Sequence, residues 1–97
     1  MTTQRLTIDY QRKADLRRRV LAYFGQSEGE RATNLDRLPE FEGFDKMEIR
    51  LMIYGLDSAG LIKIVNGRMT SGAMYGLTPL GRIVLQIESY TRKTGSI

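Results

Sequence analysis

The segment from Asp45 to Arg82 limits what this chain can fold into more than any other. Asp45 and Glu48 stand three apart at the head of an apolar repeat, Ile49, Met52, Ile53, Leu56 and Ala59, which stops at Gly60. That spacing is one face of a helix, and Asp45 with Glu48 has the reciprocal pattern of a capping box, both charges suiting the positive end of the helix dipole. A helix is therefore predicted over 45–59. Leu61, Ile62, Ile64 and Val65 then have β-branched, alternating strand character, and Asn66-Gly67 is a turn signal because both residues tolerate positive φ. The polar run Arg68 to Ala73 predicts a hairpin tip that extends as a loop, with a return strand over 73–77. Thr78-Pro79 places a hydroxyl cap before a proline at the first helical position, where its missing N–H costs nothing. Helix, hairpin and helix follow in that order, so the fold class is mainly α with a small β-hairpin.

Upstream, Asp9 can cap a helix that runs to Phe24 and ends at Gly25 in a left-handed conformation. Leu16, Val20, Tyr23 and Phe24 share one side of it, widened by Tyr10, Ala14 and Leu21. Arg12, Arg18 and Arg19 lie on the rest of that helix, where they suit either phosphate or solvent. Residues 1–8 read as a short extended arm carrying Leu6 and Ile8, and Gln26 to Arg31 as a polar loop. Thr33 or Asn34 can cap a short helix through Leu38, which Pro39 ends. The connection Pro39 to Phe44 is pinned by Phe41 and Phe44. In the last helix, to about Thr91, Leu80, Ile83, Val84 and Ile87 form the expected core stripe, while Leu85 points away from it. Residues 1–97 make one domain with an ordered core over about 9–91, a size at which a single core can fold alone.

Composition narrows the chemistry. The 97 residues include no Cys and no His, so disulfides and the usual zinc and haem ligands are missing, as are the commonest general base and the best nucleophile at neutral pH. The expectation is a protein without catalytic, cofactor-binding or metal-binding residues. Glu40 and Glu42 are close in sequence but sit in an acidic connection, and Gly76 and Gly81 read as close-packing positions rather than a phosphate cradle. No apolar run is long enough for a bilayer and the first residues hold no apolar signal core, which predicts a cytoplasmic location. Residues 1–27 hold six Lys/Arg and two Asp/Glu, residues 28–48 three and seven, and residues 49–97 six and two, so an acidic middle separates two basic ends.

Leu56-Asp57-Ser58-Ala59-Gly60-Leu61-Ile62 and Tyr75-Gly76-Leu77-Thr78-Pro79-Leu80-Gly81-Arg82 give the chain a resemblance to winged helix-turn-helix transcription regulators, especially PadR-like and MarR-like proteins. The resemblance spans roughly residues 9–91 and rests on those two stretches. It implies three helices, a wing and a C-terminal helix, with 45–59 as recognition helix and 61–77 as wing. By position it puts Lys46, Met47, Arg50, Leu51 and Tyr54 towards bases, Arg68, Thr70 and Ser71 on the wing, and Thr33 and Asn34 near a phosphate. It also implies a homodimer on double-stranded DNA, with Leu85, Tyr90 or the N-terminal arm as candidate contacts.

Met47, Leu51 and Tyr54 lie opposite the core stripe, so the predicted recognition helix is apolar nearly all round. Two uses fit that face. One is sequence-specific DNA recognition, with apolar contacts to thymine methyls and Arg50 donating two hydrogen bonds to guanine. The other is a protein–protein interaction module, as adaptor, regulator antagonist or assembly part, anchored by Met47, Leu51 and Tyr54.

Overall fold

The computed structural model describes residues 2–26, 30–31, 35–67 and 73–95, with side chains described over 10–26, 35–67 and 73–90. It is mainly helical, with α1 (Thr2–Phe24), α2 (Lys46–Ser58) and α3 (Pro79–Gly95). A small antiparallel sheet joins β1 (Glu30–Arg31), β2 (Ile62–Ile64) and β3 (Met74–Leu77), with β3 in the middle.

α1 begins at Thr2 rather than Asp9, so the expected extended arm is helical. Residues 2–9 contain neither Gly nor Pro, and a helix already nucleated downstream propagates through such a segment at little cost. Leu16, Val20, Leu21 and Phe24 are buried, whereas Tyr10 is exposed and lies outside the core. Phe24 meets Tyr75 at 5.5 Å between ring centroids, and Tyr23 sets its edge against Phe24 and Phe41. Gly25 does not take the left-handed conformation expected of it; among the described glycines only Gly43, Gly60 and Gly67 have positive φ. What Gly25 provides is room, since a Cβ there would stand 2.9 Å from Leu77 Cδ1.

The short helix expected through Leu38 is replaced by two 3-10 turns, Leu35–Arg37 and Pro39–Phe41. The cause is Pro39. It has no N–H to give, and it forces Leu38 into an extended conformation (φ −84°, ψ 142°), so an α-helix cannot pass through. The chain closes i to i+3 bonds instead: Leu38 N–H to Leu35 O at 3.0 Å and Phe41 N–H to Leu38 O at 3.0 Å. Leu35 and Phe41 are buried as a result, with Leu38 and Phe44 packed beside them.

β1 falls where a polar loop was expected. Two residues are too few to show alternation, and this strand exists only through pairing with β3, Glu30 opposite Tyr75 and Arg31 opposite Met74. β2 and β3 pair in the expected hairpin, Ile62 opposite Leu77 and Ile64 opposite Tyr75. One further bond, Val65 N–H to Met74 O at 2.8 Å, carries the ladder outward, so the connection runs over 66–73 and is not a two-residue turn. Asn66 contributes a side-chain acceptor for the Met74 N–H at 3.1 Å.

α3 presents a different face from the one expected. Leu80, Ile83 and Ile87 are 51%, 52% and 59% exposed, and the inward residues are Gly81, Val84, Leu85 and Glu88. Gly81 sets this rotation, because a Cβ on it would overlap the carbonyl of Leu61. The helix turns Gly81, which has no side chain, towards that carbonyl. Positions three, four and seven residues on follow it inward, so Leu85 packs on the chain's own core. α3 runs antiparallel to α1: Gly25 lies beside Leu77, and Arg17 Nε donates to Glu88 Oε1 at 2.5 Å.

Candidate nucleic-acid interface

α2 is fastened at both ends. At its start, Glu48 Oε1 accepts the Asp45 N–H at 2.9 Å and completes the capping box read from the sequence. The same carboxylate takes both arms of Arg12 from α1, Nη2 to Oε1 at 2.8 Å and Nε to Oε2 at 2.9 Å. Arg12 also donates to Gly43 O at 2.6 Å and lies 4.6 Å over the Phe44 ring. One guanidinium thereby ties α1, the approach loop and the first turn of α2.

The Arg12 hydrogen bonds, then the Asp45 N–H, hold the Glu48 carboxyl down from 4.5 to about 2. The carboxylate is bound more tightly folded than unfolded, so its contribution to stability is full above pH 4.5 and is lost as pH falls through about 2. With the side chain about one-third exposed, solvent screening limits the contribution to about 1 kcal/mol. A carboxyl-detected NMR titration is expected to give Glu48 a midpoint near 2, moving up towards 4.5 in Arg12→Ala. An unchanged midpoint in the variant would show that Arg12 is not the cause.

At its other end α2 stops in a left-handed Gly60 (φ +78°), with Leu61 N–H bonded to Leu56 O at 3.0 Å and Gly60 N–H to Asp57 O at 3.0 Å. This double closure is the Schellman arrangement. Ala59, expected on the core stripe, is instead the exposed C-cap, because the stripe ends with Leu56. Thr78 then joins α2 to α3. Its Oγ1 donates to Gly60 O at 2.6 Å, its N–H donates to Leu61 O at 3.0 Å, and its Oγ1 accepts the Gly81 N–H at 3.0 Å. The two stretches that carry the resemblance are therefore the two halves of a single joint. Thr78→Val keeps the bulk and removes the cap and the bridge, and urea denaturation is expected to show a loss of about 1–2 kcal/mol.

Between these fastenings the outer face of α2 is open. Ile49, Ile53 and Leu56 are buried, while Met47, Leu51 and Tyr54 are each more than half exposed. Lys46 and Arg50 are exposed along one edge of the same face, one helical turn apart. Ser58, one turn beyond Tyr54, continues the surface, and the acidic Asp57 is exposed near its end. Lys63 is a further exposed cation, at the outward position of β2 between buried Ile62 and half-buried Ile64. The alternation Ile62-Lys63-Ile64 was its signal in the sequence. Of the other expected contacts, Thr33, Asn34, Arg68, Thr70 and Ser71 lie outside the described residues.

The cations divide into two groups. The described arginines of α1 are ion-paired: Arg12 to Glu48, Arg17 to Glu88, and Arg18 and Arg19 to Asp15 at 2.8 and 2.9 Å, while Lys13 of the same helix is exposed. Arg19 also donates to Glu40 O at 2.5 Å. Burial alone would raise the Asp15 carboxyl, but hydrogen bonds and charge from Arg18 and Arg19 outweigh it and hold it below the usual carboxylate range. By contrast, Lys46 and Arg50 form no ion pair among the described residues. Tyr75 sits behind this region; burial raises its hydroxyl pKa, and Asp57 and Tyr54 add to the shift.

Of the expected dimer contacts, Leu85 packs on the core of its own chain, Tyr90 is 72% exposed on α3, and the N-terminal segment is helical rather than an extended arm. Among the described residues no group of three or more His, Cys, Asp or Glu is gathered to hold a metal ion, and no helix is long and apolar enough to cross a membrane. A scan against protein-family models and a search of the curated proteins found no match.

Proposed function

We propose that this chain is a winged helix-turn-helix module that binds double-stranded DNA as a transcriptional regulator, with α2 as recognition helix and the β2–β3 hairpin as wing. The 3-10 turns at 35–41 take the place of the second helix, and β1 adds a third strand beside the hairpin. The observation that carries the reading is the contrast in arginines: the described arginines of α1 are paired with carboxylates of the chain, while Arg50, with Lys46 beside it, stands unpaired among the described residues on a helix held at both ends. An α-helix fits the major groove, where guanine offers two acceptors to an arginine and thymine offers a methyl to apolar side chains. Arg50 supplies the first kind of contact and Met47 and Leu51 the second, with Lys46 and Lys63 directed to phosphates.

The test is the salt dependence of binding to duplex DNA selected from a randomised pool. Each phosphate neutralised contributes about 0.9 to the slope of log affinity against log salt. Lys46→Ala and Lys63→Ala together are expected to flatten the slope by about 2 and to weaken binding to all sequences alike. An unchanged slope removes both lysines from the interface.

A second use of the same face is favoured by a specific observation, the three large apolar side chains Met47, Leu51 and Tyr54 open together. A protein-binding module would be anchored there. Leu51→Ala with Tyr54→Ala would then abolish capture of a protein partner, while duplex DNA would fail to bind even at low salt.

A further inference from the structure

Asn66-Gly67 has the residue types of a two-residue turn, but the connection runs over 66–73, so the pair does not serve as one. The structure gives it a chemical environment instead. Both residues are exposed. The Asn66 amide oxygen accepts the Met74 N–H at 3.1 Å, at the end of the ladder where Val65 N–H meets Met74 O at 2.8 Å. Among the described residues the Gly67 N–H makes no backbone hydrogen bond. Gly67 has no Cβ, so no side chain of its own obstructs the approach of its nitrogen to the Asn66 side-chain amide.

We infer that Asn66 is a site of spontaneous covalent modification, at which the Gly67 nitrogen attacks the Asn66 side-chain amide and the residue passes through a cyclic imide to aspartate and isoaspartate. Water is the one co-reactant. The Gly67 amide proton goes to solvent base and the nitrogen bonds to Asn66 Cγ. The Cγ–Nδ2 bond then breaks, and Nδ2 takes up a proton and leaves as ammonia. Water opens the imide at either carbonyl: at Cγ it gives aspartate, and at the main-chain carbonyl it gives isoaspartate, with an extra methylene in the main chain. The attack puts negative charge on Oδ1, and the Met74 N–H already points at that oxygen, so the fold supplies an oxyanion donor from the outset. Either product carries a carboxylate where the chain had a neutral amide, which lowers the formal net charge of +4 by one. On the hairpin proposed as wing, that carboxylate would oppose phosphate. This consequence rests on the DNA reading; the conversion itself does not. Asn34, the chain's other asparagine, precedes Leu35, whose side chain hinders the same attack, and so serves as an internal control.

The experiment incubates the full chain without DNA in mildly alkaline buffer, both folded and in urea. Mass spectrometry follows the tryptic peptides 64–68 and 32–37, and enzymatic methylation of isoaspartate gives a second readout. The folded chain is expected to lose ammonia at Asn66 at least as fast as the unfolded chain, with isoaspartate among the products, while Asn34 stays intact over the same period. Gly67→Ala is expected to slow the conversion several-fold in urea, where the φ of +71° held in the fold plays no part. An unmodified Asn66, slower conversion in the folded chain than in urea, or a rate indifferent to Gly67→Ala would overturn the inference.

Discussion

Gly81→Ala is expected to destabilise the fold by about 3 kcal/mol or more, although alanine favours a helix over glycine by about 1 kcal/mol. The two effects oppose each other, and the structure decides between them. A Cβ at position 81 would overlap the carbonyl of Leu61, which is itself held by the Thr78 N–H at 3.0 Å. This obstacle is backbone in a closed joint and cannot swing aside as a side-chain end would. Relief requires α3 to move away from the end of α2, which breaks the Thr78 bonds to Gly60 and Leu61 and lifts Val84 and Leu85 from the core. Gly55→Ala is the matched control, since its Cβ would meet nothing within 4 Å and its φ is not positive. It should gain about 0.5–1 kcal/mol. Urea denaturation of both variants reads the difference; equal and favourable changes would show that α3 does not approach Leu61 as described.

The second large effect belongs to Arg50. On a duplex whose selected site contains guanine, Arg50→Ala is expected to weaken binding by about 1–3 kcal/mol, roughly 5- to 150-fold, and to relax the preference at that base pair. The fold should be unaffected, because Arg50 is exposed and forms no ion pair among the described residues. Arg18→Ala, on α1, makes a useful comparison. Arg18 is half-buried and bonded to Asp15 at 2.8 Å, so its loss should leave DNA affinity within a factor of about two, as for sites outside the interface. Binding measured by fluorescence anisotropy at one fixed salt concentration checks both variants. A larger loss from Arg18→Ala than from Arg50→Ala would move the interface to α1.

The parts of this fold that were legible in sequence are those set by local chemistry. Asp45 with Glu48, Gly60 after Leu56, and Thr78 before Pro79 each define a helix end through bonds made within a few residues, and all three ends lie where those residues place them. The outer face of α2 was legible for the same reason, since a thirteen-residue helix with one apolar stripe leaves its other side determined. What escaped depends on partners distant in sequence. β1 has no pattern of its own and exists through β3. Leu85 and Leu80 exchange roles because the rotation of α3 is set by the approach of Gly81 to Leu61, twenty residues earlier. Nor does the sequence near Arg12 show that it pairs with Glu48, thirty-six residues away.

The most direct test of the account is an amide and side-chain NMR titration of the chain with a selected duplex. The predicted result is that shifts concentrate on Lys46, Met47, Arg50, Leu51 and Tyr54, with Lys63 following, while Arg18 and Arg19 of α1 stay in place. Shifts centred on α1 with α2 unmoved, or no shifts at low salt with any duplex, would contradict it.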